Sequence, residues 1–355
     1  MNILDETISA IAPQDAAWRQ RAKDRLDQLT MPHWALGRLM DLSMDLAGMT
    51  RCLRPLTRRK VVVVMAADHG VVAEGVSKYP QEVTRQMVLN FVNRGAGINA
   101  LAGQAGATVC VVDMGVAGEV GELARSGAVL SMPVGPGTGN MAQGPAMTRE
   151  QAAQSVENGI RVARRLADDG YDLFGVGEMG IGNTTPSSAI IATLTGRAVS
   201  DVTGRGTGLD DGQLEHKIAV IERALKVNEP DPQDGLDVLA KVGGFEIGGI
   251  AGVILGAAAL RKPIVIDGLI STAGALIAQA LAPAAADYMI AAHRSMEPGH
   301  IVALQHLGKE PLLDLDLRLG EGTGAALAMN LVEAAARILI GVRTFEEARV
   351  SVAVE

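Results

Sequence analysis

The chain has 355 residues, 48% of them hydrophobic and 20% charged, which fits one large α/β domain or two unequal ones and argues against global disorder. Aromatics are only 3% and basic clusters are few, which argues against the stacking platforms of a single-stranded nucleic-acid binder. The formal net charge is −8, so an anionic substrate has to be held by local backbone N–H groups and a few Lys or Arg rather than by the bulk field.

The opening of the chain is polar and acidic and lacks the basic start and apolar stretch of a signal peptide. Two helices are expected, Asp15 to Leu29 and Ala35 to Met49, followed by a basic connection around Pro55. The first strand is Val61 to Ala67, then a loop, a helix from about Gln81 to Asn93, and a second strand at Thr108 to Met114. Of the two cysteines, Cys52 and Cys110, the second lies in that apolar strand as a small core residue. Two such residues make no disulfide framework, and a reducing cytoplasm fits.

From Val116 to Ala146 the chain is rich in Gly, Pro and small polar residues, and loop mixed with short extended pieces is expected. Thr148-Arg149-Glu150-Gln151 has a capping-box pattern. The helix it opens carries Val156, Ile160, Ala163 and Leu166 on one face and ends at Asp168-Asp169-Gly170. Strand-like segments recur at Asp172–Val176, Pro263–Ile266, Tyr288–Ala291 and Leu313–Leu317. Helical patterns at Gly212–Val227, Ile247–Leu260 and Thr272–Leu281 separate most of them. The run Ile247–Leu260, bounded by Glu246 and Arg261, is too short to span a bilayer and reads as a buried helix. Alternating strands and helices predict a mainly parallel, Rossmann-like sheet flanked by helices. A last long helix, roughly Gly324 to Ile340, can pack with the two N-terminal helices as a smaller helical domain. The expected division is 1–57 plus 322–355 for that domain and 58–321 for the large one.

Several strand ends carry residues fit for chemistry. Gly175-Val176-Gly177-Glu178-Met179-Gly180-Ile181-Gly182-Asn183-Thr184-Thr185 runs from a strand into a helix, and backbone N–H groups there can hold an anion. Gly175, Gly177 and Gly180 also match a dinucleotide fingerprint, with Asp201 downstream. However, Asp201 follows a helix-ending sequence, and a mononucleotide phosphate cradle accounts for the same glycines. Gly204 to Gly208 precedes the helix bearing His216 and Lys217. Asp267-Gly268 leads into Ser271 and Thr272, either of which could serve as an N-cap. His293-Arg294-Ser295 follows the next strand. His69, after the first strand, reads as a metal ligand, a base or a structural histidine. No pair of the six histidines has convincing metal spacing. Tyr79 and Gln86 flank a helix start, where Tyr79 either stacks on a flat ligand or packs. Leu319-Gly320-Glu321-Gly322-Thr323-Gly324 sets one carboxylate between glycines at a strand-to-helix junction. It reads either as a solvated turn or as a site where substrate approaches the backbone.

Taken together and in order, these motifs resemble the CobT family of nicotinate-nucleotide:dimethylbenzimidazole phosphoribosyltransferases. Ala67-Asp68-His69-Gly70-Val71 and Glu74-Gly75-Val76-Ser77 belong to the same set, and the resemblance runs from about Ala66 through Arg349. It implies transfer of the phosphoribosyl group of nicotinate mononucleotide to 5,6-dimethylbenzimidazole in assembly of the cobalamin lower ligand. No cofactor, metal, nucleic acid or membrane is implied. It implies Glu321 as general base with Glu178 in support, and a base slot at Tyr79, Gln86, Met179 and Leu319. The nucleotide and its phosphate would meet Gly180, Ile181, Gly182, Asn183, Thr184, Gly206, Lys217, Asp267, Gly268 and Ser295. It further implies a cytoplasmic homodimer. Two other readings of the residues stand beside it: a nicotinamide-dependent oxidoreductase, and a non-catalytic nucleotide- or benzimidazole-binding module.

Overall fold

The computed structural model describes residues 2–118, 121–206 and 208–351. Six strands form one sheet: β1 (Lys60–Ala67), β2 (Ala107–Gly115), β3 (Leu130–Ser131), β4 (Leu173–Met179), β5 (Ile264–Ile266) and β6 (Met289–Ala291). Their order is β3-β2-β1-β4-β5-β6, and every pairing is parallel. All eight residues of β1 are buried, with no inside–outside alternation. Helices on both faces of a parallel sheet impose that pattern. The strand order reverses between β1 and β4, and in such sheets ligands bind outside the carboxyl ends of the strands near that switch.

The expected Leu313–Leu317 strand does not form. It contributes one isolated parallel bridge, Leu313 to His293, and otherwise runs as irregular chain toward Glu321. Asp314 and Asp316 interrupt it and Leu315 is exposed, so the alternation has no second face to bury against. Among the described residues of the 116–146 region the expected extended pieces appear only as β3, together with a short helix, Gly121–Arg125. Thr148 caps the helix Arg149–Asp168, with Gln151 returning the bond, and Gly170 takes the left-handed conformation just beyond its end.

Glycine explains how the longest apolar run packs. The helix Phe245–Ala259 is buried through Ala258 and lies against Arg149–Asp168. A Cβ on Gly159 or Gly252 would collide with backbone of the opposite helix, so the two axes approach more closely than side chains allow.

A second apolar cluster is built from both ends of the chain: Ala22, Leu26, Leu29, Met40 and Ala47 with Ile338 and Leu339. Its helices are Ala16–Leu26, Arg38–Thr50 and Thr323–Gly341, tied by a Leu29–Thr344 bridge. The helix Ile3–Ala10 lies instead on Arg149–Asp168 and Phe245–Ala259. Among the described residues, only Thr323–Gly341 is long and apolar enough to cross a membrane, and 56% of its most apolar window is buried in the fold.

Candidate active site

A cavity of about 470 Å³ opens at the carboxyl ends of β4, β5 and β6. Tyr79, Met179 and Leu319 line one end, with Glu178 and Glu321; Thr184, Gly206, Gly268 and Ser295 line the other.

The polar end is made by helix starts. Thr184–Thr195 follows Asn183 and Leu269–Leu281 follows Gly268, and neither first turn is capped by a side chain. Leu269, Ile270 and Ser271 N–H have no acceptor among the described residues and line the cavity; of the other start only Thr184 N–H is open, since Thr185 N–H is taken by Gly182 O at 3.0 Å and Pro186 has none. The expected Ser271 and Thr272 caps do not form: the Thr272 hydroxyl donates to Gly268 O at 2.8 Å, and Ser271 lines the cavity. Lys217 is 1% exposed and stands just behind the lining, its Nζ 2.7 Å from Thr184 Oγ1. Burial pulls its pKa down to about 8, against the opposing pull of the Glu297 carboxylate. Glu297 itself accepts the Gly206 N–H at 3.0 Å, and Thr207 beside it lies outside the described residues.

The other end is built around strained backbone. Gly320, Glu321 and Gly322 all have positive φ, at 84°, 62° and 91°. Glycine takes that conformation freely, but Glu321 takes it at a cost of about 1–2 kcal/mol. Two buried carboxyl groups hold it there. Asp267, from the end of β5, accepts Gly322 N–H at 3.1 Å and Ala325 N–H at 2.9 Å. Glu178, from the end of β4, accepts from the Glu321 amide and from the Asn183 side chain. Gly177 leaves room for the turn, since a Cβ there would strike the Glu321 carbonyl.

The Glu321 side chain is 6% exposed, and one oxygen accepts Ile98 N–H at 2.9 Å. That N–H belongs to the first turn of Gly97–Ala105. Burial raises the Glu321 pKa and the nearby Asp267 charge adds to the rise; the Ile98 and Gly97 N–H groups moderate it. Burial pushes the Glu178 carboxyl up to about 8, so it is protonated at neutral pH.

The structure thus brings Tyr79, Met179, Leu319, Glu178 and Glu321 together with Gly180, Ile181, Asn183, Thr184, Gly206, Gly268 and Ser295 around one cavity. Gln86 is not brought in. It is exposed on the helix Glu82–Val92, and Val83 and Met87, on the face one turn around, line the cavity instead. Gly182 also lies off the lining, packed against Val72. Asp267 is buried beneath the Glu321 turn and reaches the site through backbone N–H groups. His69 is a structural histidine, its Nε2 2.6 Å from the buried Glu246 carboxylate. Asp201 sits exposed in the short helix Val199–Val202 and ends no strand, which removes the dinucleotide reading of Gly175–Gly180. The sequence reading missed Gly97 and Ile98, whose only signal was a glycine at a helix start near Asn99. Among the described residues no group of three or more His, Cys, Asp and Glu is arranged to hold a metal ion.

A family model described as Phosphoribosyltransferase (DBI_PRT) matches residues 11–350. The chain belongs to this family. A nicotinate-nucleotide--dimethylbenzimidazole phosphoribosyltransferase of Syntrophotalea carbinolica is 65% identical over 351 residues, 99% of either chain. One of the same name from a Roseiflexus species is 57% identical over the whole of both chains. The crystal structure of CobT from Thermus thermophilus superposes with a TM-score of 0.91 at 49% identity, over 95% of this chain and 100% of that one. The candidate cavity of this phosphoribosyltransferase lies outside the carboxyl ends of the strands, where ligands bind in such sheets.

Proposed function

We propose that the chain transfers the phosphoribosyl group of nicotinate mononucleotide to 5,6-dimethylbenzimidazole, giving α-ribazole 5′-phosphate and nicotinate. The observation that carries this reading is the pairing, in one cavity, of uncapped helix starts backed by Lys217 with a buried carboxylate, Glu321. The first end suits a phosphate. The second suits an azole that must lose a proton. The names of close, full-length relatives support the same reaction.

One azole nitrogen attacks C1′ from the face opposite the pyridinium. The C1′–N bond breaks and its electron pair stays on the nitrogen of departing nicotinate. The other azole nitrogen gives its proton to Glu321, and the anomeric centre inverts. A pyridinium is already a good leaving group, so no strong acid is needed. A carboxylate whose pKa is raised by burial is a better proton acceptor than one in water. Glu178 supports Glu321 by fixing its amide. Phosphate held by the two helix starts and Lys217 would make attack effectively intramolecular.

The apolar slot of Tyr79, Met179 and Leu319 fits a flat base, with Val83 and Met87 taking the part expected of Gln86. Asp267 serves the nucleotide site by holding the turn. The large unit at 58–321 and the helical unit at 1–57 plus 322–355 remain our division, supported by the separate terminal cluster. Exposure of Tyr79, Met296 and Leu319 around the cavity supports a homodimer covering this face, and we place the enzyme in the cytoplasm. The test is nicotinate release from nicotinate mononucleotide. Release that requires added dimethylbenzimidazole, with α-ribazole 5′-phosphate formed one for one, is expected. No release, or reduction of a nicotinamide cofactor instead, overturns the reading.

A further inference from the structure

His293 belongs to neither end of the cavity as described so far, yet it lines the wall between them. It lies two residues beyond the end of β6 and is 2% exposed. Its ring is fixed on two sides. A Cβ on Gly324 would collide with the imidazole, so the first turn of Thr323–Gly341 lies flat against it. The His300 ring meets it edge-on, centroids 5.8 Å apart at 72°. His300 is itself pinned, because its Nδ1 accepts Ser295 N–H at 3.1 Å, and burial holds it neutral with a pKa down to about 3.

The two nitrogens of His293 differ. Nδ1 is buried, 3.7 Å from Asp267 Oδ1 and beyond hydrogen-bond reach. Nε2 lies on the edge toward Gly268, at the cavity, with no protein hydrogen bond among the described residues. The buried nitrogen left without a partner is Nδ1; Nε2 is the one placed where a ligand in the cavity can reach it. No hydrogen bond at Nδ1 fixes the tautomer, and in either tautomer Nε2 can pair with a hydroxyl, as acceptor or as donor.

We propose that His293 Nε2 hydrogen-bonds a ribose hydroxyl of the nucleotide, making His293 the residue that selects ribonucleotides over deoxyribonucleotides. This rests on the phosphoribosyl reading above. The geometry follows from the ends of the cavity. With phosphate at Thr184, Gly268 and Ser295, and the reacting centre near Glu321, the sugar must span the interval between them. His293 lies against both boundaries: Gly268 on one side, and Gly324 in the first turn after Glu321 on the other. Ser271 and Ser295 also line the cavity, and His293 adds a ring nitrogen, held by the packing of its ring, that a ribose hydroxyl can pair with. A site built to bond a hydroxyl rejects the analogue lacking it strongly, because its own polar atom is then left unpaired.

The test compares kcat/KM for nicotinate mononucleotide with its 2′-deoxy and 3′-deoxy analogues, in wild type and in His293→Phe and His293→Gln. Wild type is expected to prefer the ribonucleotide over at least one deoxy analogue by about 100-fold or more. His293→Phe keeps the ring shape and should lose most of that preference. His293→Gln offers an amide oxygen and should restore part of it. A purely structural role would lower all substrates together and leave the ratio intact, which would overturn the proposal. Should His293→Phe fail to fold, wild-type calorimetry with ribose 5-phosphate and 2-deoxy- and 3-deoxyribose 5-phosphate decides. Equal affinity for all three overturns it. Wild type inactive with nicotinate mononucleotide would instead defeat the parent reading, so the two failures are distinguishable.

Discussion

The two ends of the cavity bury ionisable groups by the same means and shift them in opposite directions. At the polar end, burial lowers the Lys217 pKa. At the apolar end, burial raises Glu178 and Glu321. Removal from water disfavours whichever form is charged, so the sign is set by the group and not by the site. What differs is how each end compensates. Lys217 bonds Thr184, at the start of a regular helix, and the Gly204 carbonyl; a phosphate would favour its charged form. Glu321 sits in a left-handed turn held by Asp267 and Glu178, and its substrate removes no penalty until it delivers a proton. On the proposed reading, one end binds and the other reacts.

The sharpest way to break that contrast is Glu321→Gln. The amide oxygen can still accept Ile98 N–H, so the fold should stand. Turnover should fall about 10²–10⁴-fold as the base is lost. In wild type the acidic limb of kcat/KM should lie above the usual carboxylate range near about 4.3, since only ionised Glu321 accepts the proton and burial raises its pKa. In the variant that limb should vanish. Stopped-time nicotinate assays across pH check both. Near-wild-type turnover at neutral pH would remove Glu321 from the chemistry.

The two ends also differed in how far the sequence revealed them. The polar end lies mostly in continuous motifs, Gly180 to Thr184 and Gly268 to Ser271, where glycines and small polar residues mark a strand-to-helix turn directly. The apolar end joins residues far apart in the chain. Ile98 N–H meets Glu321 across 223 positions, and backbone donors carry no side-chain signature. Gln86 entered the base slot through the resemblance, but the helical period turns Val83 and Met87 inward and leaves Gln86 in solvent. The sheet was legible because β1, β2 and β4 are long apolar runs. Leu313–Leu317 looked like a strand because local alternation cannot show whether a neighbouring strand continues beside it.

Lys217→Ala probes the binding end alone. Removing a charge-assisted bond to phosphate should cost about 1.5–3 kcal/mol, raising the KM for nicotinate mononucleotide about 10–100-fold and leaving that for dimethylbenzimidazole within about twofold. Equal effects on both substrates would merge the two ends into one. Asp267→Asn separates positioning from contact. The amide keeps one acceptor but sets an NH₂ against a backbone N–H, disturbing the turn. kcat should fall about 10–100-fold, as misplacement of a catalytic group by about 1 Å can cost. The KM for the nucleotide should change little. A KM effect larger than the kcat effect would make Asp267 a direct nucleotide ligand.

The smallest effect tests the opposite signs themselves. In the ligand-free fold Lys217 has a pKa of about 8, against 10.5 when exposed. Between those values the unfolded chain binds a proton that the fold does not, so this group makes stability rise with pH. Below about pH 8 its burial penalty is present in full, about 3 kcal/mol by linkage. Glu178 tilts the other way: its folded pKa is raised to about 8, so its favourable contribution, complete below the ordinary carboxylate value, is lost as pH rises toward 8. Lys217→Met should therefore remove the upward tilt at alkaline pH and leave the acidic side of the curve unchanged. The bonds of Nζ to Thr184 and Gly204 O, each worth about 1 kcal/mol, offset most of the gain. The net result at pH 7 is a variant about 1 kcal/mol more stable, or a melting temperature about 1–2 °C higher. Nicotinate mononucleotide should reverse that order, because its phosphate stabilises the ammonium of wild type and finds none in the variant. Parallel stability–pH curves for the two proteins, or a variant that gains as much from the nucleotide as wild type does, would show that Lys217 is not the buried cation of the phosphate end.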